Sequence, residues 1–279
     1  MTKKQKFGMS TVLAGMLLAG LVFSPVQAKT QKYTNTDFAM NTVVSETLYT
    51  KGKDLNPSIG KLLKKTEDEI LSWTEEDSQI AQVNHAGGET VEVSAELADY
   101  LKKTQQLAED SQGAFDPTLG RVIRLWDIGG ENAGIPQTGE LESLLEETGY
   151  EKLELDGNKV TLKDGATLDL GAAGKGIGCD LVMDFLGQNK DVSGMILNLG
   201  GSSVMAYGEK PDQSDWRVAI RDPREPEGDY LGAVTLKGGE FLSTSGDYER
   251  YFMEDGKRYH HILCLLYTSP SPRDRTRSR

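Results

Sequence analysis

Apolar residues recur at helical spacing in the first half of the chain and at alternate positions in much of the second. From Asn56 to Trp73, Ile59, Leu62, Leu63, Ile70 and Leu71 follow a 3.6-residue repeat, which predicts an amphipathic helix. "EEDSQIAQVNHAGG" predicts a loop and a short second helix. Ser94 can cap a long helix with Leu97, Leu101, Leu107 and Ala108 on one side and Gly113 as its stop. Thr138 to Gly149 predicts a shorter one. The period then drops to two: Leu153 and Leu155, Val160 and Leu162, and Leu168 and Leu170 alternate around Asp156-Gly157 and Asp164-Gly165, which predicts a three-legged strand meander. A helix follows with Ile177, Leu181, Val182, Phe185 and Leu186 on one face. After it come a buried strand at "GMILNL", strands at "WRVAIR", "YLGAVTL" and "EFLSTS", and a hairpin in "RYFMEDGKRYHHIL" turning at Asp255-Gly256. No internal repeat is visible. With helices mainly first and strands mainly second, the expected class is α+β, a single domain of mostly antiparallel or mixed sheet with packed helices.

The two ends have a different texture. Lys3, Lys4 and Lys6 precede an apolar run from Val12 to Phe23, and Val26-Gln27-Ala28 has the small residues of a secretory cleavage site. Residues 1–28 are therefore expected to be a signal peptide, which implies an exported protein on the periplasmic or cell-surface side of the cytoplasmic membrane. The run is shorter than the ~20 residues a membrane span needs, so membrane contact is expected only through an uncleaved signal. "LLYTSPSPRDRTRSR" lacks any apolar period and is expected to be a non-native or disordered tail, which leaves 29–264 as the domain.

The net charge of −12 includes these two basic ends, so the body between them is more acidic still. That balance argues against a general nucleic-acid binder, and an anionic ligand would need local donors or a metal. Two cysteines, Cys179 and Cys264, are too few for a disulfide scaffold or a zinc site.

Four stretches could carry chemistry. "LDLGAAGKGIGCD" (168–180) fails the Walker pattern, because Gly176 follows Lys175 and Asp169 stands where the first glycine should be. Its glycines at alternate positions also fail the dinucleotide fingerprint. What remains is strand, glycine-rich turn, lysine and helix start, where free N–H groups and an ammonium could meet an anion, or where glycines merely allow close packing. In "SQGAFDPTLGRVIRLWDIG", Asp116 precedes Pro117 and could either cap the helix near Thr118 or face a ligand. In "NLGGSSVMAYGEKPDQSDWRVAIRDP", Asn198 and Gly200-Gly201 end a buried strand, and Arg217 and Arg221 share a face of a later one. "STSGDYERYFMEDGKRYHHIL" gathers Ser245, Asp247, Arg250, His260 and His261. Adjacent strand residues face opposite sides, so one of the two histidines at most can enter a given pocket.

In this order, "AMNTVVS", "DSQIAQVN", "GAFDPTLG…LW", "LDLGAAGKG…D", "LNLGGS…WRVAIRDP" and "TSGDYERYF…YHHIL" resemble the ApbE-type FAD:protein FMN transferases. The resemblance implies transfer of FMN from FAD to a threonine or serine hydroxyl of an acceptor protein domain, with Mg²⁺ and release of AMP. By motif it places Met40, Ala114, Phe115, Asp116, Asp169, Lys175 and Leu263 at FAD, with Trp73 or Thr74 near the flavin. It gives the Ala172 carbonyl to Mg²⁺ and makes His261 the base or orienter of the acceptor hydroxyl. The family continues after the histidines with Asp-Pro-x-Thr-Gly and a later Asp and Thr that complete the metal site. Here Leu263 is followed by "CLLYTSPSPRD", so the expectation is a transferase sequence cut short and joined to a foreign tail, binding FAD weakly without turnover. Two other readings remain: an exported protein that binds FAD without transfer, and an FAD pyrophosphatase giving FMN and AMP.

Overall fold

A computed structural model describes residues 29–224 and 229–263, so the expected signal peptide and tail lie outside the described residues. Strands open this region, contrary to a mainly helical first half. β1 (Gln31–Ala39) and β2 (Thr42–Thr50) form an antiparallel hairpin whose loop residues Met40 and Asn41 both take left-handed φ, +55° and +52°. The strand period is weak there for two physical reasons. β1 is a largely exposed edge strand, and the buried face of β2, Val44, Leu48 and Thr50, is interrupted by the acidic Glu46.

Four elements then form the helical part. α1 (Asn56–Thr66) runs into a π-helical turn, Glu67–Leu71, and α2 (Gln79–His85) and α3 (Ala95–Asp110) follow a loop and the short strand β3 (Val91–Glu92). The buried stripe of α3 is Leu97, Leu101, Thr104 and Ala108. Leu107 is 51% exposed, because it sits well off that stripe at 3.6 residues per turn. Ser94 caps α3 as expected, its Oγ accepting the Leu97 N–H at 3.1 Å. Ser94→Ala is expected to lower stability by about 1 kcal/mol, seen as a lower urea midpoint at unchanged slope.

α4 (Gly120–Trp126) and α5 (Thr138–Glu146) pack on each other through Leu119, Val122 and Leu144. β4 (Leu153–Asp156) and β5 (Lys159–Leu162) make two legs of the expected meander, but their third strand is β3, in the order β3-β5-β4. Leu168 and Leu170 are buried without forming a strand. This segment is held by a short parallel bridge to 117–120 and by a side chain: Asn84 Oδ1 accepts the Leu168 N–H at 2.7 Å and Asn84 Nδ2 donates to the Leu168 carbonyl at 2.9 Å.

α6 (Gly171–Gly187) leads to β6 (Val192–Leu199) and β7 (Ser203–Gly208). These join the first hairpin and β10 (Phe241–Ser243) in an antiparallel sheet ordered β1-β2-β6-β7-β10. α1 and α6 cover one face through Ile59, Leu63, Val182 and Leu186 against Val44, Leu48, Met195, Leu197 and Leu199. The hairpin of β8 (Trp216–Arg221) and β9 (Tyr230–Leu236) covers the other through Trp216 and Leu236 against Val204 and Ala206. Covering on both faces explains the apolar run at "GMILNL". A last hairpin, β11 (Tyr251–Glu254) and β12 (Lys257–His260), stacks Tyr259 on Trp126 of α4 at 6.0 Å. Among the described residues no helix is long and apolar enough to cross a membrane.

Candidate functional site

The glycines and Lys175 of "LDLGAAGKGIGCD" do not form a turn before the helix; they are the start of α6 itself, from Gly171. This corrects the expectation of several free N–H groups. Asp169 Oδ1 accepts the Gly171 N–H at 2.7 Å, and the Ala173 and Gly174 N–H groups bond to the Leu170 carbonyl. An anion at this helix end would rely on the dipole and on Lys175 more than on loose amides. Two of the glycines admit close neighbours: a Cβ at Gly178 would lie 3.0 Å from Leu63, and one at Gly174 would lie 3.7 Å from the Met40 methyl. Gly176 has nothing within 4 Å of that position, so packing does not explain it. Asp169, flanked by buried Leu168 and Leu170, is half-buried and faces away from the core as expected.

Three strips of chain meet around this end. The first is 114–120, where Ala114 and Phe115 follow α3 with their N–H groups bonded to the Ser111 carbonyl and Oγ. Asp116 Oδ1 accepts both the N–H and the hydroxyl of Thr118, at 2.8 and 2.6 Å, so the carboxylate builds the turn into α4, and its other oxygen has no partner among the described residues. The strip lies against 167–169: the Asp169 N–H donates to the Pro117 carbonyl at 2.9 Å, and the Gly120 N–H donates to the Thr167 carbonyl at 2.9 Å. Only glycine fits position 120, since a Cβ would stand 2.8 Å from the Thr167 carbonyl oxygen and 2.9 Å from that of Leu168.

The second strip holds Trp73 and Thr74. They line a cleft of about 690 Å³ with Asn84, Arg121, Arg124 and Thr167. The Arg124 guanidinium lies 5.1 Å from the Trp73 ring centroid and donates to Thr167 Oγ1 at 3.0 Å. Burial weakens the hold of Arg124 on its proton, and the neighbouring Asp169 carboxylate offsets part of that effect. Arg124 thus ties the Trp73 side of the cleft to Thr167. The linear pattern gave no sign of it, because its partners come from two distant segments.

The third strip gathers the Met40-Asn41 turn, Lys175, the β6–β7 turn and the chain on either side of the last hairpin. Glu67 Oε2 and Oε1 accept the N–H groups of Met40 and Asn41, at 2.8 and 2.7 Å, from the π-helical turn. Lys175 Nζ donates to Ser202 Oγ at 2.7 Å. Burial, then the nearby Arg250, push the ammonium below the usual lysine range, against the opposing pull of Glu249. Arg250 reaches the Asn41 carbonyl at 3.5 Å, and its own carbonyl takes the His261 N–H at 3.2 Å and lies 3.3 Å from His261 Nδ1.

The two histidines part company, though not by strand alternation. His260 ends β12 half-buried, with Nδ1 receiving the Ile262 N–H at 3.3 Å, while His261 lies just beyond the strand and is exposed. With Nδ1–H directed to a backbone carbonyl, the His261 Nε2 lone pair is left for a proton. Leu263 packs on the α4–α5 cluster, which joins this strip to the first. Arg217 and Arg221 share the exposed face of β8, with Arg221 3.8 Å from Glu249. Cys179 lies on the buried face of α6, where burial and the Asp180 charge push its thiol up to about 12.

For a divalent cation the donor set is sparse. Among the described residues no three His, Cys, Asp or Glu side chains converge with metal-ligand spacing. Ala172 is exposed in the first turn of α6. Its carbonyl keeps one lone pair beyond the helical ladder. That oxygen is a donor this end of α6 could offer a hard cation.

The FAD:protein FMN transferase of Klebsiella pneumoniae (strain 342) is 32% identical over 77% of the chain, and that of Treponema pallidum (strain Nichols) is 29% identical over 92% of it. The chain spans 66% of the Klebsiella protein, 63% of its Vibrio cholerae counterpart and 76% of the Treponema protein, so it covers just under two thirds of the first two. The solved ApbE protein of Thermotoga maritima superposes with a TM-score of 0.77 at 34% identity, over 86% of this chain and 78% of that one. The apo flavinyl transferase ApbE of Pseudomonas stutzeri gives 0.74 at 27%, over 86% and 76%. Residues 40–272 match the ApbE family, and the chain belongs to that family.

Proposed function

We propose that this protein transfers FMN from FAD to a serine or threonine hydroxyl of an acceptor protein and releases AMP. The observation that carries the reading is the setting of Lys175 at the start of α6: it sits half-buried with no carboxylate partner among the described residues, bonded to Ser202, and the nearby Arg250 holds His261 on its carbonyl. The names borne by the relatives support the same activity.

In this reading the Lys175 ammonium, aided by the positive end of the α6 dipole, holds the pyrophosphate. Met40, Ala114, Phe115, Asp116, Asp169 and Leu263 line the FAD site, with Trp73 and Thr74 toward the flavin. The Ala172 carbonyl would hold Mg²⁺, which would supply charge neutralisation on the phosphates. His261 Nε2 takes the proton of the acceptor hydroxyl as its oxygen bonds to the phosphorus of the FMN half. The P–O bond to AMP breaks, and AMP leaves with the electron pair. The Lys3–Ala28 pattern supports an exported site of action.

Incubation with FAD, Mg²⁺ and an acceptor domain tests the reading, on this chain and on one extended with the Asp-Pro-x-Thr-Gly segment and the later Asp and Thr that the resemblance implies. Equal amounts of AMP and phosphoester-linked flavin on the acceptor are expected. Free FMN formed without acceptor would instead identify a pyrophosphatase, and FAD retained without AMP would identify a binding protein.

A further inference from the structure

The β6–β7 turn presents a hydroxyl to the one lysine of the site, and everything around that hydroxyl is fixed. Gly200 and Gly201 both take left-handed φ, +66° and +72°, and the Gly201 N–H is held by Asn198 Oδ1 at 2.7 Å. The Ser202 carbonyl accepts the Thr244 N–H at 2.7 Å, where the chain leaves β10, and the neighbouring Ser203 and Ser243 hydroxyls lie 3.2 Å apart. Ser202 is thus clamped from both sides while its Oγ receives Lys175 Nζ at 2.7 Å.

We propose that Ser202 is a positioning residue, which parks the Lys175 ammonium where a phosphate-bearing ligand meets the start of α6. Lysine is a point charge on a flexible four-carbon stem, so its rotamers must be restricted before binding if it is to act at one place. A hydroxyl does this without neutralising the charge, as a carboxylate at that distance would. The ammonium keeps its full attraction for an anion. The other charged groups facing Lys175 are Arg250 and Glu249, both on the connection before β11, and Glu249 is also drawn toward Arg221 at 3.8 Å. Ser202 is therefore the partner that sets direction. Ser202→Ala leaves a half-buried ammonium without its acceptor, whereas Ser202→Thr retains it.

The inference rests on the FAD reading above, and its test separates the two. FAD affinity is titrated by flavin fluorescence from pH 7 to 10 for the native protein, S202A and S202T. S202A is expected to bind about tenfold more weakly at pH 7.5, the scale of one hydrogen bond to a charged group. Its affinity should also be lost at a lower pH, because an ammonium stripped of its acceptor gives up its proton more readily. S202T should match the native protein in both respects. A purely structural role would weaken S202A and S202T alike with an unmoved midpoint, and that result, or native-like binding by S202A, overturns the inference while leaving the FAD reading intact. Failure of the native protein to bind FAD overturns that reading instead. The link is then decided by ¹³C NMR of the methylated lysines, assigned with K175M: a downward shift of the Lys175 titration in S202A upholds it, and no shift overturns it.

Discussion

His261→Ala is expected to lower FMN transfer by about 10²–10⁴-fold, the usual range for loss of a positioned general base, while FAD affinity changes only a few-fold. The reason lies in how the ring is held. The Arg250 carbonyl fixes the backbone N–H and Nδ1 of His261 together, so the ring is oriented by the chain that leads into β11 rather than by the ligand. Stacking of Tyr259 on Trp126, and of Phe252 on Tyr259 at 5.2 Å, anchors that hairpin to α4. Removing the imidazole leaves the Lys175 region untouched. Loss should therefore fall on kcat with little change in KM for FAD. Exogenous imidazole should restore part of the rate. Equal loss of FAD binding and transfer would show that His261 belongs to the binding surface.

The second large effect is on stability and pH. Glu46 lies on the helix-covered face of the five-stranded sheet, only 2% exposed. Asn35 Nδ2 donates to its Oε2 at 3.0 Å, and Oε1 is buried without a partner among the described residues. Burial raises its pKa, the Asn35 hydrogen bond lowers it, and the Asp37 and Asp54 charges raise it further, to about 7 from 4.5. The folded protein thus keeps this proton over a range in which the unfolded chain releases it. Below pH 4.5 the group is protonated in both states and costs nothing. Between 4.5 and 7 stability falls as pH rises, and above 7 the cost levels off at about 3 kcal/mol. Glu46→Gln retains an acceptor for Asn35 and removes the titration. It is expected to stabilise the protein by about 2–3 kcal/mol at pH 8 and by almost nothing at pH 4.5. Urea unfolding at both pH values measures this, and parallel pH curves for the two proteins would refute it.

Elements whose apolar residues face a single large surface were legible from their periodicity. α1, α3 and α6 each bury one stripe, β6 reads as a continuous apolar run, and the last hairpin announces itself at Asp255-Gly256. β1 and β2 were not, because an exposed edge strand and a buried glutamate erase the alternation. The candidate site divides in the same way. Apart from Trp73 and Thr74, the residues that the resemblance places at the site stand in six motifs whose order carries it; Asp169 and Lys175 stand out by chemical type and setting, whereas only the resemblance chose His261 over His260.

Their connections depend on segments far apart in the chain. Glu67 grips a turn 26–27 residues before it, Arg124 bridges Trp73 and Thr167, and Ser202 meets Lys175 only because β6 and β7 return beside the start of α6. The helices and strands that bury one apolar face, and the chemical type of Asp169 and Lys175, follow from local spacing and residue type alone. That the glycine stretch is helix rather than loop, and that a serine holds the lysine, follow from the folded arrangement, because hydrogen-bond partners are chosen by proximity in space.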